Sequence, residues 1–362
     1  MKKVLVIGYM HPKDDKRVHR TVKALSKVAH VFYQYLTDMP EKEYRDGNIH
    51  YLPIEWHENV NANAFVKLWK RRKLDKKIVD LIENSDYDIL YMHHFLPSKP
   101  IEPFVYAKKK GKRIVYDVHE YHPENFLSNF SGMIGRLKTA IMRSIFERQI
   151  ELSDKLVFVS YEQMEYSLRG RKKECLVVPN YASIVLSSTE KEKSIVYVGK
   201  ITRALGEEEQ VVKELIRQGF IFKIVGMDSK AFSNINHICT GFLPYEEMMK
   251  EISKASFSLV SFKTTGREDY KNDLWSLPHK FFDSLAASTP VIVKDTFVSM
   301  RRVVEELGVG VVINPRNVDG SVRKILEAYK EYDKLLANVE RYKDRFVWDE
   351  RKEKEFIEFV LG

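Results

Sequence analysis

Short, nearly continuous apolar runs recur along the whole chain, and they limit the fold more than any other feature. In the first half they fall at residues 3–8, 28–35, 88–93, 113–118 and 155–160. In the second half they fall at residues 194–199, 221–226, 256–262, 290–294 and 309–313. An apolar run that does not alternate with polar residues describes a strand buried on both faces, as in a parallel sheet covered by helices. Longer helix-like stretches separate the runs. Val18, Val22 and Leu25 are spaced for one helix face, and Ile134, Leu137, Ile141 and Ile145 form another stripe. Both stripes are expected to pack on a sheet. Two strand–helix series give two α/β units, and 362 residues suit two domains.

The polar run Ser187-Ser188-Thr189-Glu190-Lys191-Glu192-Lys193, after Pro179-Asn180, separates the two series and reads as a linker. No repeat at solenoid period is present. No apolar run approaches the length of a membrane span, and the run after Met1-Lys2-Lys3 is too short for a signal peptide. The expected location is therefore the cytoplasm. With two cysteines, a disulfide scaffold is excluded and free thiols are expected. Sixty basic against 51 acidic residues give a net charge of +9, which favours acidic partners: nucleotides, phosphorylated substrates or anionic lipid.

Gly8-Tyr9-Met10-His11-Pro12 and Gly199-Lys200-Ile201-Thr202 lack the second and third glycines of a dinucleotide loop. A Walker loop is absent as well. The stretch Asp117-Val118-His119-Glu120-Tyr121-His122-Pro123-Glu124 is rich in potential ligands but lacks zincin spacing, so no metal is expected. His119, His93 and His94 end buried-type strands, where α/β sheets collect ligands.

Several segments in order resemble the retaining glycosyltransferases of family 4, which have the GT-B fold. They are Asp15-Lys16-Arg17-Val18; Tyr116-Asp117-Val118-His119-Glu120 with Pro123-Glu124; Val178-Pro179-Asn180; Val198-Gly199-Lys200; Gly241-Phe242-Leu243-Pro244-Tyr245-Glu246-Glu247; Pro278-His279-Lys280-Phe281-Phe282-Asp283; and Phe346-Val347-Trp348-Asp349. The resemblance implies two Rossmann-like domains with parallel sheets facing across a cleft. Residues 1–183 would form the acceptor-side domain and 184–345 the nucleotide-sugar domain, with 346–362 a helix returning to the first. It implies transfer of a sugar from a nucleotide-diphospho-sugar to a glycan, lipid-linked or small-molecule acceptor. The nucleotide sugar is a substrate, and no cofactor is expected.

By the same resemblance, His119 contacts the donor sugar and stabilises the transition state. Lys200, Arg203, Asn180, Phe242, Pro278, Lys280 and Asp283 line the donor site. Cations and a helix N-terminus would stabilise the leaving diphosphate without a metal. Pro278 suits a first helical position, and Asp283 would accept hydrogen bonds from the ribose. Two positions depart from the family: Leu205 stands where a lysine is usual, and Trp275 where the first carboxylate of the E-x7-E motif would be. A nucleotide-sugar-binding protein without efficient transfer is the alternative those departures leave open. A basic nucleic-acid-binding protein is the other; no zinc knuckle or stacking sheet supports it, and no nucleic-acid partner is expected. The stretch from Phe65 to Lys77 mixes cations with Phe and Trp. It suits a peripheral contact with anionic membrane, although its apolar positions form no clean stripe and a solvated basic helix is the simpler reading.

Overall fold

The computed structural model describes residues 1–57, 63–93, 96–125, 132–199, 208–227, 234–262, 264 and 269–362. The chain divides into two compact units, Met1–Val178 with Glu350–Gly362 and Pro179–Asp349.

The first unit contains β1 (Lys3–Pro12), α1 (Lys16–Ser26), β2 (His30–Thr37), β3 (Tyr44–Asp46), β4 (Ile49–Glu55), α2 (Ala64–Asn84), β5 (Ile89–Met92) and α3 (Glu102–Lys109). It continues with β6 (Arg113–Val118), α4 (His122–Asn125), α5 (Gly132–Leu152), β7 (Lys155–Phe158), α6 (Tyr161–Leu168) and β8 (Glu174–Val177). Its sheet runs β3-β4-β2-β1-β5-β6-β7-β8. Every pairing is parallel except that of β3 with β4. Val4, Leu5, Val6 and Ile7 are wholly buried, and all four residues of β5 and of β7 are buried. That double-sided burial is what the continuous apolar runs require.

The second unit contains β9 (Glu192–Gly199), α7 (Glu209–Arg217), β10 (Ile221–Gly226), β11 (Ile238–Cys239), α8 (Tyr245–Lys254), β12 (Ala255–Leu259), α9 (Lys271–Leu274) and α10 (His279–Ala286). After these come β13 (Val291–Lys294), α11 (Val298–Leu307), β14 (Gly310–Ile313), α12 (Val318–Lys330) and α13 (Tyr332–Tyr342). The order is β11-β10-β9-β12-β13-β14, all parallel. The sheet grows outward from β9 in one direction and from β12 in the other. A topological switch point therefore lies between those two strands, the place where such sheets bind ligands. The equivalent point in the first unit lies between β1 and β5.

The last helix, α14 (Glu350–Leu361), packs on the first unit. Phe356 and Val360 are buried there. Lys155 Nζ and Arg113 Nη1 donate to the carbonyls of Phe359 (2.8 Å) and Leu361 (3.0 Å), satisfying acceptors that a helix C-terminus leaves open.

Helix starts follow local chemistry. The Asp15 carboxylate accepts from the amides of Arg17 and Val18, capping α1. Val18, Val22 and Leu25 face the core as expected. The α5 stripe is a correction: Ile134, Leu137 and Ile141 are exposed, and the helix buries Phe146, Gln149 and Ile150 instead. A stripe reports one-sided apolarity, and it does not say what covers that side.

Candidate functional site

In the first unit, the chain leaving the carboxyl ends of β1, β5 and β6 carries His11, His93 and His119. Beneath them lies the buried carboxylate of Asp117. Arg17 Nη2 donates to Asp117 Oδ1 (2.6 Å), and its Nε lies 3.2 and 3.3 Å from the two oxygens. Arg17 Nη1 also donates to the carbonyl of Val178 (2.6 Å), and Tyr91 OH donates to Asp117 Oδ2 (3.0 Å). Burial opposes ionisation of Asp117, but the Arg17 guanidinium and the hydrogen bond from His93 hold its carboxyl well below the usual range.

His93 is fully buried, with Nδ1 3.3 Å from Asp117 Oδ2 and 3.1 Å from His119 Nε2. Burial pushes both imidazoles below their ordinary pKa, so both are neutral at pH 7. An ionised carboxylate only accepts, which assigns the proton of His93 to Nδ1. His119 Nε2 then accepts, and its proton sits on Nδ1. This network fixes both the tautomer and the ring plane of His119. The ring of His11 lies 5.2 Å from that of His119, and His11 Nδ1 meets Asp15 Oδ2 at 3.1 Å.

His93, Asp117 and His119 offer three ligand atoms within 4.8 Å of one another. The guanidinium of Arg17 already compensates the charge of Asp117, so the cluster is built as an ion-paired hydrogen-bond network.

Along the same sheet edge a cavity of about 820 Å³ is lined by Pro12, Lys13, Asp14, Thr37, Asp38, Glu41, Trp56 and His57, among others. Carboxylates, a hydroxyl and an indole together suit a polyhydroxylated ligand. Tyr9, which leads into this edge, holds a left-handed backbone (φ 55°). Gln34 binds both its amide (2.8 Å) and its carbonyl (3.1 Å), which stabilises that conformation.

In the second unit Lys280, in the first turn of α10, reaches the switch point. Its Nζ donates to the carbonyl of Ser261 (2.9 Å) just past β12 and lies 4.2 Å from the centre of the Tyr197 ring. A Cβ on Gly199 would lie 3.9 Å from that Nζ. Burial pulls the ammonium down to about 8. Beside it, Glu208 is buried, accepts from the Ser261 hydroxyl and lies 3.5 Å from Lys294 Nζ. Burial raises its carboxyl pKa. Gly226 and Gly199 have φ of +142° and +131°, and a Cβ on Gly226 would sit 2.3 Å from the Gly199 carbonyl oxygen. Two strand ends thus approach with no room for a side chain.

Pro278 is the N-cap of α10 rather than its first helical residue, because its ψ of 156° is extended. The open amides of the first turn follow it. Asp283 is buried and accepts from Tyr245 OH at 2.7 Å, so its carboxylate is already engaged. Asn180 Nδ2 donates to the carbonyl of Leu277 (2.9 Å) and so braces the approach to Pro278. Phe242 is exposed, and Trp275 caps α9. Lys200, Arg203, Leu205 and His94 lie outside the described residues.

Sequence reasoning did not assign the partners. Arg17 and Asp117 stood in quoted motifs, but nothing along the chain joins positions 17, 91, 93 and 117. Tyr245 stood in a quoted motif without an assigned role, and Glu208 and Lys294 carried no signal of a site.

Residues 195–347 match the family described as the glucosyltransferase 3-like C-terminal domain. No curated protein matches the sequence. Solved structures similar over nearly the whole chain include sucrose-phosphate synthase from Thermosynechococcus elongatus (13% identity, 98% of this chain and 97% of that one, TM-score 0.67). They also include a trehalose-6-phosphate structure from E. coli bound with UDP-2-fluoro glucose (14%, 99% of each chain, 0.66). A third is Anabaena HepE in complex with UDP-glucose (11%, 99% of each chain, 0.62). The chain therefore has the GT-B fold of glycosyltransferases, and most of its second unit matches a glucosyltransferase 3-like C-terminal domain.

Proposed function

We propose that the protein is a glycosyltransferase that moves a sugar from a nucleotide-diphospho-sugar, most simply a UDP-sugar, to an acceptor, with retention of configuration. The observation that carries this reading is the Lys280 ammonium at the switch point of the second sheet, beside Gly199 and in the first turn of α10. A diphosphate is the leaving group of such a reaction. Its negative charge grows as the glycosidic bond breaks, and a fixed cation with helix amides stabilises that change. Lys200 and Arg203 are proposed to add charge from the loop after β9. The neutral His119, with its proton on Nδ1, is proposed to hydrogen-bond the donor sugar and orient it. A neutral ring does so without placing a second cation beside an oxocarbenium-like centre.

Asp283 is proposed to support the donor site through Tyr245, with ribose hydroxyls competing for its second oxygen. The cavity around Trp56, Asp14 and Asp38 is proposed as the acceptor side. The test is a thermal-shift screen against UDP-, GDP- and ADP-sugars, followed by release of labelled sugar from the stabilising donor. At a hundredfold excess over Kd, a true donor stabilises the fold by about 2.7 kcal/mol. No stabilisation by any nucleotide sugar overturns the reading.

A further inference from the structure

We propose that the first unit docks on an anionic lipid bilayer through the N-terminal halves of α2 and α5. Both helices leave apolar side chains in solvent over those halves. On α5, Met133 is 86% exposed, Ile134 68%, Leu137 63% and Ile141 52%. On α2, Phe65 is 78% and Trp69 58% exposed, while the residues that helix buries begin only at Leu74.

Topology puts the two stripes together. The crossovers β4-α2-β5, β5-α3-β6 and β6-α5-β7 all advance the same way along a parallel sheet. Right-handed crossovers then place all three helices on one face, and α3 touches both α2 and α5. Each helix starts from the carboxyl edge of the sheet. The two apolar halves therefore share one face and one edge, about 20 Å apart across α3.

Charge selects the occupant. Residues 67–77 of α2 carry Lys67, Lys70, Arg71, Arg72, Lys73, Lys76 and Lys77. Its one acid in that stretch, Asp75, is buried and accepts from Tyr9 OH (2.9 Å) and the Ser98 amide (2.9 Å). On α5, Arg136 and Lys138 flank the stripe, and no acid precedes Glu147. Glu102, at the start of α3, is paired with Lys99 at 2.5 Å. Two copies of this surface would set cation against cation, which disfavours self-association. An anionic bilayer takes both the cations and the apolar tips. No helix among the described residues is long and apolar enough to cross a membrane, so the contact is peripheral. A cavity of about 210 Å³ between α2 and the end of β4 is lined by Trp69 and Lys70 together with Trp56 and His57, which also line the large cavity. The docking face thus adjoins that cavity.

The test is co-sedimentation of the full chain with vesicles of phosphatidylcholine alone or mixed with phosphatidylglycerol, at low and high salt. Binding is expected only to the mixed vesicles and is expected to weaken with salt. Ile134→Ser/Leu137→Ser and Phe65→Ser/Trp69→Ser should each weaken it at least about tenfold. Lys70→Glu/Lys73→Glu should weaken it by about fivefold or more per residue. These exposed changes should leave the melting temperature and the nucleotide-sugar thermal shift unaltered. The membrane contact and the transferase reading therefore fail separately. Absence of wild-type binding to mixed vesicles overturns the proposal. So does undiminished binding by the variants, or a dimer in sedimentation that the serine variants dissolve while lipid is not bound.

Discussion

At the scale of single residues, the proposed roles rest on groups whose charge the fold has set, in each unit separately. His119 and His93 are held neutral by burial, and Lys280 is drawn down to about 8. His119→Ala is expected to lower kcat about a hundredfold with little change in donor affinity, as measured by steady-state kinetics. Lys280 gives a pH signature. As pH rises through about 8 the free protein loses its ammonium, so affinity for the diphosphate-sugar should fall there while affinity for the bare nucleoside stays flat. Lys280→Met should weaken donor binding and abolish that dependence in calorimetric titrations. The two histidines also link stability to acid. Unfolding returns them to a pKa near 6.5, so the unfolded chain binds more protons just below that value. Stability should fall as pH drops from about 6.5 towards the folded values, and His93→Gln should flatten that limb in urea titrations.

At the scale of elements, strands that write a continuous apolar run were legible, and short, exposed or interrupted strands were not. All ten apolar runs contain strands of the sheets. The strands missed were β3, β4, β8 and β11. Three residues of β3 are exposed, β4 carries Pro53 and a half-open face, and β8 and β11 border solvent. A strand with exposed positions or a proline writes no continuous apolar run, even where, like β4, it lies inside the sheet. The α5 stripe is the opposite case: a strong pattern whose covering is absent from the fold. Two elements carry predictions. Phe356→Ala removes a ring from the buried face of α14, 6.0 Å from that of Tyr91, and should cost about 3–5 kcal/mol in denaturant unfolding. Gly226→Ala forces a Cβ onto the Gly199 carbonyl and should cost about 2–3 kcal/mol, with a larger loss of donor binding than any exposed alanine.

At the scale of the whole molecule, the chain enters the second unit once and leaves it once, and its last thirteen residues complete the first. A fragment of residues 179–349 should therefore fold alone and keep any nucleotide-sugar thermal shift. A fragment of residues 1–178 should be markedly unstable by circular dichroism, and a separate peptide of residues 350–362 should restore it in part. Equal stability of the first fragment with and without the peptide would contradict this. The sequence by itself determined the α/β class and the central strands, because burial on two faces leaves a one-dimensional record. It also offered His119 and Lys280 as candidates, because strand ends and helix starts are local. Only tertiary structure decided that Arg17, Tyr91, His93 and Asp117 form one network, that Tyr245 engages Asp283, and that the apolar side of α5 stays open. Those facts depend on which distant segments the sheet order brings together, and a chain read one residue at a time carries no term for that.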